Sequence, residues 1–208
     1  MTNATRVANT FFKNIYNGSI LKTYNVTRLV LEVKGNLYFW PFYWMTGIYL
    51  LLGSNLGDKV THLADARKLI TQQLGHIQQA SSQYHTEPWG MSNAPEFLNQ
   101  VIVIDSSIDP LEVLDKVLNI EIVLGRSRKK DYQNRTIDID LLYYGKLVFE
   151  HPSLSIPHPR ISERKFVLTP LSEIAPDFVH PVLGLTNQHL LDICTDPLSV
   201  TLWEQQSN

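Results

Sequence analysis

The chain of 208 residues has a single cysteine, Cys194, and this scarcity excludes two kinds of structure. One thiol can form neither an internal disulfide nor a zinc site built from several thiolates. Long apolar runs are also missing, since no run approaches the roughly 18 consecutive apolar residues typical of a membrane-spanning helix. We therefore expect a cytoplasmic protein in a reducing compartment, without membrane association.

The chain has little excess of either charge, and its formal net charge is −2. The charges are unevenly distributed, because residues 1–44 carry five basic residues and one acidic residue, whereas residues 45–208 carry 13 basic and 19 acidic residues. An acidic main part disfavours a protein that binds nucleic acid through a broad basic surface. With 44% apolar and 18% charged residues, the composition is that of a globular protein with one sizeable core.

The first 44 residues differ in pattern from the rest. They end in a dense aromatic cluster at residues 37–44, directly before Met45. Two hypotheses fit: a genuine appendage that packs on the domain, or an over-extended start whose native position is Met45. We favour the second, and predict an extension over residues 1–44 and a functional domain over residues 45–208. A peptide from residues 2–44 in the native protein, detected by mass spectrometry, would disprove the over-extended start.

Beyond Met45 the apolar periodicity alternates between strand and helix. It predicts strands over 48–52, 77–84, 97–104 and 136–144, and helices over about 56–74 and 110–124, the second beginning at Asp109-Pro110. The order βαββαβ predicts an α+β fold of the ferredoxin-like type, with helices packed on an antiparallel sheet. After the fourth strand we expect a hairpin from Tyr144 into residues 147–149, an extended proline-rich connection over 152–159, and short helices over 166–174 and 188–194.

Asp138 and Asp140 form the first pattern with a chemical meaning. Side chains alternate between the faces of a strand, so both carboxylates point to one face while Ile137, Ile139 and Leu141 point to the other. Two carboxylates about 6–7 Å apart along a strand suit Mg²⁺, which keeps several waters and accepts phosphate oxygens. On this pattern alone, a half-exposed strand with a polar face is an equally good interpretation.

A run of cations precedes the two aspartates. Arg126, Arg128 and Arg135 can each form paired hydrogen bonds with phosphate, and Lys129 and Lys130 add positive charge. Cationic runs after a helix are also common where they only complement the helix dipole. The position of this run, directly before the paired carboxylates, favours a site for a polyphosphate bound together with magnesium.

Two further features need an explanation. Glu121 lies on an otherwise apolar helical face, where it needs either a nearby arginine or a role as a ligand donor. Segment 84–90 and the motif Phe97-Leu98-Asn99 combine aromatic rings with an amide, which could stack on a flat heterocycle and read its edge, although such rings are more often part of a core. The residues alone therefore predict a magnesium-dependent phosphotransferase on an α+β sheet.

Six short motifs occur in a fixed order along the chain. They are Gly53-Ser54-Asn55-Leu56-Gly57-Asp58, Tyr84-x-Thr86-Glu87-Pro88-Trp89-Gly90, Phe97-Leu98-Asn99, Glu121-x4-Arg126-x-Arg128, Arg135-Thr136-Ile137-Asp138-Ile139-Asp140, and Pro157-His158-Pro159-Arg160-x3-Arg164-x-Phe166. In this order and spacing they resemble the 6-hydroxymethyl-7,8-dihydropterin pyrophosphokinases, a family of folate-biosynthesis enzymes. The resemblance extends from about Gly47 to Leu190.

The resemblance implies transfer of a pyrophosphoryl group from ATP to the hydroxymethyl group of the reduced pterin, with release of AMP. It implies a catalytic set of Arg126, Arg135, Asp138 and Asp140, in which the two aspartates hold two Mg²⁺ ions. The residues that it places around ATP are Glu121, Arg126, Arg128, Arg135, Ile139, His158 and Arg164. Those that it places around the pterin are Thr86, Glu87, Trp89, Phe97, Asn99 and Phe166, the two phenylalanines stacking on its two faces. We expect a monomer whose only partners are these small molecules.

The chain departs from the family pattern in two places. Many members have a Trp-Gly-Pro run before the arginine that corresponds to Arg135, whereas this chain has Lys-Asp-Tyr-Gln-Asn at residues 130–134. Because this loop closes over ATP in the family, we expect its closing motion to differ here, while Arg135 preserves the chemistry. Some relatives have tyrosine at the positions of Phe97 and Pro159, so a hydroxyl group is lost at both.

Two rival functions were weighed. A nucleotidyltransferase of the polymerase-β type also combines Gly-Ser with two aspartates, but close together, whereas Ser54 and Asp138 are 84 positions apart. A ferredoxin-like module that binds RNA through residues 126–135 is the other rival. Such modules stack bases on the sheet surface, where Asp138 and Asp140 would repel a phosphate backbone unless a metal ion intervened.

Overall fold

The computed structural model describes residues 47–91, 94–126 and 134–204, together with the backbone of three strands within the first 41 residues. The chain divides into two compact units, Met1–Thr46 and Gly47–Asn208. In the first unit, β1 (Ile20–Asn25), β2 (Arg28–Val33) and β3 (Asn36–Pro41) form an antiparallel sheet in the order β1-β2-β3. A native start at Met45 stays a prediction.

The second unit contains the predicted alternation of strands and helices, except that the strand predicted over 77–84 is two strands, His76–Ala80 and Tyr84–Thr86. Its elements are β4 (Ile48–Ser54), α1 (Lys59–Gln73), β5 (His76–Ala80), β6 (Tyr84–Thr86), β7 (Phe97–Asp105), α2 (Pro110–Val123), β8 (Asp138–Tyr144), β9 (Phe149–His151), β10 (Leu154–Ile156), a 3₁₀ turn (Ile161–Glu163), α3 (Lys165–Ile174), α4 (Asn187–Ile193) and β11 (Val200–Leu202). The predicted α+β class, an antiparallel sheet with helices packed on it, is confirmed. Over the described ranges, no helix has the length and apolar character needed to cross a membrane.

Helix α2 begins and ends where the sequence predicts. The Asp109 carboxylate accepts a hydrogen bond from the Leu111 backbone N–H at 2.9 Å, and Pro110 occupies the first turn. This is a normal N-cap, because it satisfies a donor that has no partner within the helix. The chain leaves the helix at Gly125, whose positive φ of 88° suits glycine. These ends fix the rotation of α2 and so direct Glu121 towards β8.

Strand β4 is central in the part of the sheet that matters for function. The strand order is β11-β6-β7-β4-β8, every pairing is antiparallel, and β5 also pairs with β7. Gly53, near the end of β4, lies opposite Asn99 on β7 and opposite Asp138 on β8. Side chains from three adjacent strands therefore converge at this end of the sheet.

The two faces of the sheet are covered to different extents. Helices α1 and α2 cover one face, where Ile137, Ile139 and Leu141 are buried among their apolar side chains. Helices α3 and α4 pack on the other face over Leu51 and Val101. The end of that second face which carries Asn99, Asp138 and Asp140 instead forms the floor of a cleft. The predicted split of the Asp138–Leu141 side chains between two faces is confirmed.

The chain after β8 differs from the prediction. The expected hairpin from Tyr144 into residues 147–149 is wrong, because β9 pairs with β10 and not with β8. Residues 152–159 are likewise not one extended connection, since residues 152–153 form the turn between β9 and β10. The apolar side chains that suggested a strand pairing, Leu147 and Phe149, are instead partly buried by packing against the core beneath α1 and α2. Apolar periodicity reports burial and does not identify the pairing partner.

Candidate active site

An open cleft lies on the part of the sheet that α3 and α4 leave uncovered. Its floor comes from β4, β7 and β8, one wall from the segment after β6, and another from the start of α3. The side chains that line it are Leu51, Gly53, Thr86, Glu87, Trp89, Met91, Phe97, Asn99, Arg135, Asp138, Asp140, His158, Arg164 and Phe166. All six residues predicted to hold a pterin and both aspartates therefore lie in one cleft.

Asp138 is paired with two arginines. Its Oδ1 atom lies 2.7 Å from Nη1 of Arg126, and its Oδ2 atom contacts the guanidinium of Arg135. The side chains of all three residues retain partial exposure, between 19% and 28%. Water and ions can therefore screen these pairs, and a competing anion can reach them.

Glu121 lies behind this ion-pair cluster and supports it. Its side chain is almost fully buried, Oε1 accepts a hydrogen bond from the Ile139 N–H at 2.8 Å, and the same carboxylate contacts Arg126. Of the two partners that the sequence allows, the arginine is therefore present. Burial raises the pKa of Glu121 to about 7, assisted by repulsion from Asp138 and opposed by the Ile139 amide and the Arg126 guanidinium.

Asp140 lies two residues further along β8, on the cleft side. Burial raises the pKa of its carboxyl to about 6, and repulsion from Asp138 adds to the effect, while Arg164 and Arg135 oppose it. Across the ranges described, no group of three or more His, Cys, Asp or Glu side chains could hold a metal ion. Two carboxylates that repel each other at the edge of a cleft fit Mg²⁺ that is bound jointly with phosphate oxygens and water.

Asn55 fixes the backbone of Arg135 and is a positioning residue that the sequence analysis missed. The Asn55 N–H donates to the Arg135 carbonyl at 3.1 Å, and the Arg135 N–H donates to Asn55 Oδ1 at 2.7 Å. Asn55 is 2% exposed, so these hydrogen bonds are shielded from water. Its place in the Gly53–Asp58 motif was the available signal, but spacing gave no indication of its partner.

The other end of the cleft is built around a neutral hydrogen bond. Asn99 Nδ2 donates to Thr86 Oγ1 at 2.7 Å, and both side chains are buried. Gly53 lies opposite Asn99, and a Cβ atom at Gly53 would lie 2.6 Å from Asn99 Oδ1. Glycine is therefore required here by close approach. Gly53, Leu51 and Met91 line the cleft but were not predicted as site residues.

Arg164 and His158 lie between the two ends. The Arg164 guanidinium lies 4.7 Å from the centroid of the Trp89 ring and 5.6 Å from that of Phe166. Its buried Nε atom has no hydrogen-bond partner within the described residues, which leaves a donor for a ligand. Burial, followed by repulsion from Arg164 and Arg160, lowers the pKa of His158 to about 4, so this imidazole is neutral at pH 7.

A family model described as 7,8-dihydro-6-hydroxymethylpterin-pyrophosphokinase (HPPK) matches residues 49–176. The chain belongs to the HPPK family. Similar proteins include the 2-amino-4-hydroxy-6-hydroxymethyldihydropteridine pyrophosphokinases of Methylorubrum extorquens and Bacillus subtilis. The first is 43% identical over 136 residues, which are 65% of this chain and 86% of that protein. The second is 36% identical over 160 residues, which are 76% of this chain and 91% of that protein.

Some HPPK relatives are much longer than the matched region. The "Folic acid synthesis protein fol1" of Pneumocystis carinii is 38% identical over 139 residues, which are 67% of this chain but 19% of that protein. The crystal structure of Plasmodium falciparum HPPK-DHPS wild type with SDX-DHP has a TM-score of 0.57 at 19% identity, and the match covers 71% of this chain and 43% of that one. At that identity the structural likeness shows the HPPK fold alone.

Four of the seven residues predicted around ATP are not among the described side chains that line the cleft, and one of them, Arg126, instead contacts the lining residue Asp138. Arg128 falls within residues 127–133, outside the described part, together with most of the loop in which this chain departs from the HPPK pattern. The Ile139 side chain points into the core on the opposite face of β8. The Glu121 carboxylate is held beneath Arg126. The contacts of all seven predicted residues with ATP stay predictions.

Separation along the chain does not keep Ser54 from Asp138, because β4 and β8 are adjacent and Gly53 lies opposite Asp138. What disfavours the polymerase-β type is the direction of the side chain: Ser54 is fully buried, and its Oγ lies 3.3 Å from His62 Nδ1 on α1. Ser54 therefore belongs to the helix-covered face of the HPPK sheet and not to the cleft.

Proposed function

We propose that this protein transfers a pyrophosphoryl group from ATP to 6-hydroxymethyl-7,8-dihydropterin, producing AMP and the pterin diphosphate for tetrahydrofolate synthesis. The pterin hydroxyl oxygen bonds to the β-phosphorus, the bond from that phosphorus to the oxygen bridging to the α-phosphate breaks, and AMP leaves with the electron pair. The hydroxyl proton passes to solvent. No side chain becomes covalently attached, because phosphoryl transfer depends mainly on positioning and electrostatic stabilisation.

The register of β4 is the observation that carries the proposal. Gly53 lies opposite Asn99 on one side and Asp138 on the other, so an amide suited to a heterocycle and a carboxylate suited to a magnesium–phosphate complex are two strands apart on one floor. A pterin at Asn99 thereby has its hydroxymethyl group beside the place where phosphates collect. Membership of the HPPK family supports the same assignment.

ATP is held at the Asp138 end in this proposal. Arg126, Arg135 and Arg164 offset the negative charge of the triphosphate. Arg128, which lies outside the described residues, is proposed to contribute a further positive charge. Neutral His158 accepts the Arg160 N–H at Nδ1, 3.2 Å away, which leaves an Nε2–H to donate to ATP. Glu121 and the Ile139 backbone contribute by holding Arg126 and the start of β8 in place.

Two magnesium ions belong to the proposal, with Asp138 and Asp140 as their protein ligands. Burial and then repulsion from Asp138 raise the pKa of Asp140, and a cation bound between the two carboxylates would relieve that repulsion. Magnesium held by these two carboxylates would neutralise part of the charge of the phosphate oxygens. The chain's own contribution is to hold both carboxylates on a rigid strand.

The pterin occupies the neutral end. Phe97 on β7 and Phe166 on α3 both line the cleft, from its floor and its opposite wall, and in this proposal the flat pterin ring stacks between them. Asn99, oriented by Thr86, reads the edge of that ring, and the segment at Glu87 and Trp89 adds backbone groups. The proposal also includes a monomeric enzyme in the cytoplasm, where the free thiol of Cys194 stays reduced.

The deciding experiment is to incubate the protein with ATP, magnesium and hydroxymethyl-dihydropterin and to identify the nucleotide product. AMP and a pterin diphosphate are expected in equal amounts. ADP as the product would exclude pyrophosphoryl transfer. Tight, salt-sensitive binding of RNA without ATP turnover would favour the RNA-binding module instead.

A further inference from the structure

The C-terminal segment of the described chain contacts both walls of the cleft. It lies beyond residues 49–176, which the family model matches. Strand β11 pairs antiparallel with β6, so that Val200 lies opposite Thr86. The segment is therefore the outermost strand of the sheet on the side where the pterin is proposed to bind.

Ser199 holds Glu87 through two hydrogen bonds. The Glu87 N–H donates to the Ser199 carbonyl at 3.2 Å, and the Ser199 N–H donates to Glu87 Oε2 at 2.8 Å. Both the backbone and the side chain of Glu87 are thus fixed by the backbone of one residue. Glu87 begins the segment that leads to Trp89 and Met91, and all three line the cleft.

Asp196 caps the helix that forms the opposite wall. Arg164, the residue before α3, makes no capping hydrogen bond through its side chain. The Lys165 N–H, at the first position of α3, instead donates to Asp196 Oδ2 at 2.9 Å, while the Leu198 N–H donates to Asp196 Oδ1 at 3.2 Å. A carboxylate at a helix N-terminus is stabilising, because it satisfies a free donor and complements the helix dipole. Lys165 lies between Arg164 and Phe166, so this cap fixes two cleft residues.

The far end of α3 is fastened by a different set of contacts. The Glu173 carboxylate accepts from the Ser82 N–H at 3.0 Å, from Ser82 Oγ at 2.9 Å and from Tyr84 Oη at 2.9 Å. This end joins α3 to the strand region on the pterin side, away from the cleft. At the cleft end of α3, the corresponding hydrogen bond is the one that Asp196 accepts from the Lys165 N–H.

We propose that residues 196–202 form a clasp that positions the two walls of the cleft relative to each other. Ser199 is the positioning residue for Glu87, and Asp196 is the positioning residue for Arg164 and Phe166. The kinetic part of this inference rests on the proposed function. Ser199 bonds directly to Glu87, in the wall proposed to bind the pterin. Asp196 instead holds the wall that carries Arg164, proposed to contact ATP, and Phe166, proposed to contact the pterin. Loss of Ser199 should therefore affect mainly the KM for the pterin, and loss of Asp196 the KM values for both substrates.

A proline substitution separates the role of Ser199 from the stability of the fold. Since Ser199 acts through its backbone, Ser199→Ala is a matched control that keeps both hydrogen bonds, whereas Ser199→Pro removes the N–H donor. For Ser199→Pro we expect the KM for the pterin to rise about threefold to tenfold, with the KM for ATP changed by less than about twofold. Ser199→Ala should match the wild-type protein in both constants.

Asp196→Ala tests the other wall. We expect it to raise the KM values for both substrates by about threefold to tenfold, because Arg164 and Phe166 shift together. Asp192→Ala is its control, since Asp192 is exposed on α4 and accepts its hydrogen bond from Gln188 of the same helix. A proportional change in both KM values for Ser199→Pro, or unchanged KM values for Asp196→Ala, would overturn the clasp.

Hydrogen exchange tests the clasp independently of turnover. Residues 84–91 should exchange faster in Ser199→Pro, residues 164–168 should exchange faster in Asp196→Ala, and each variant should leave the other segment protected. Equal loss at both segments in either variant means general destabilisation and overturns the inference. If the wild-type protein forms no AMP, the proposed function fails, yet this crossed exchange pattern still decides the clasp. If Ser199→Pro does not fold, Asp196→Ala and its control decide by the same measurement.

Discussion

The two ends of the cleft are held in shape by different interactions. At the phosphate end, Asp138 contacts both Arg126 and Arg135, so the local structure depends on full charges. At the pterin end, Asn99 and Thr86 form a neutral hydrogen bond, and the space around them is set by the missing side chain of Gly53. One end is therefore governed by charge and the other by shape.

This difference implies two modes of binding. Two of the arginines proposed to hold ATP, Arg126 and Arg135, already contact the Asp138 carboxylate, so a triphosphate must displace that carboxylate before these two cations reach it. Partial exposure of these side chains makes such an exchange inexpensive, because water screens the separated charges. At the pterin end Asn99 and Thr86 are buried and paired with each other, so this part of the pocket is preformed. We expect charge changes to act at the first end and volume changes at the second.

The largest effect is expected for Asp138→Ala. This change removes the carboxylate that two arginines share and that is proposed to hold magnesium, so kcat should fall by about 10³-fold or more. The fold should persist, as checked by circular dichroism and thermal unfolding, because Asp138 lies at the edge of a cleft. Asp115→Ala, on the exposed face of α2, is the control. Near-normal AMP formation by Asp138→Ala would refute the assignment of this end to metal and phosphate.

Glu121→Gln measures how much the buried negative charge of Glu121, next to the phosphate end, lowers the free energy of unfolding. Burial raises the pKa of Glu121 from 4.5 to about 7, so the folded protein binds this proton more tightly than the unfolded chain. The resulting stability is complete below about pH 4.5 and is lost as the pH rises to about 7, by about 3 kcal/mol. Glutamine has no proton to lose, so between pH 4.5 and pH 8 the free energy of unfolding of Glu121→Gln should rise by that amount relative to the wild-type protein.

Urea denaturation of magnesium-free protein at several pH values measures this difference. Glu112→Gln, at an exposed position of the same helix, controls for a general effect of charge on α2. If the ion pair with Arg126 outweighs burial, the free energy of unfolding of Glu121→Gln should instead fall relative to the wild-type protein as the pH rises. That result would mean that the charged form of Glu121 stabilises the fold.

Gly53→Ala tests the claim that shape governs the pterin end. The added Cβ would lie 2.6 Å from Asn99 Oδ1, so the amide must move away from Thr86. We expect the KM for the pterin to rise about tenfold, which is within the usual cost of overpacking, while the KM for ATP stays within about twofold. Without the Asn99 side chain, the Cβ atom added at position 53 no longer clashes with Oδ1. The double variant Gly53→Ala, Asn99→Ala should therefore have the same KM for the pterin as Asn99→Ala alone. If the effects of the two changes add instead, Gly53→Ala acts through some contact other than Asn99.

The floor of the phosphate end could be predicted because it depends on local periodicity. A period of two along β8 separates Asp138 and Asp140 from Ile139 and Leu141 whatever the rest of the fold does, and an isolated buried carboxylate such as Glu121 must find a partner. Each of these inferences needs the residue and its chain neighbours alone. The same kind of information failed after Tyr144, where burial was correct and the strand pairing was wrong.

Features that depend on contacts between distant segments could not be predicted. The need for glycine at position 53 arises from its register with Asn99, and the pairing of Asn55 with Arg135 is made largely through backbone atoms. Asp196 and Ser199 act in the same way, on helices and strands far away in sequence. Nothing in the residue types at these positions specifies such partners, because backbone groups are common to all residues.

The smallest effect is expected for Trp89→Leu, which tests whether the two ends are independent. Trp89 belongs to the pterin wall, yet the guanidinium of Arg164, a proposed ATP ligand, lies 4.7 Å from its ring centroid. Loss of this cation–π contact, worth about 0.5–1 kcal/mol, should raise the KM for ATP about twofold to fivefold. The KM of Trp89→Phe for ATP should lie between those of the wild-type protein and Trp89→Leu. If Trp89 couples the two ends, binding of either substrate changes the affinity for the other, and by the same factor in both directions. That factor should be smaller in Trp89→Leu than in the wild-type protein. A change in the pterin constants alone would show that charge and shape act separately at the two ends of the cleft.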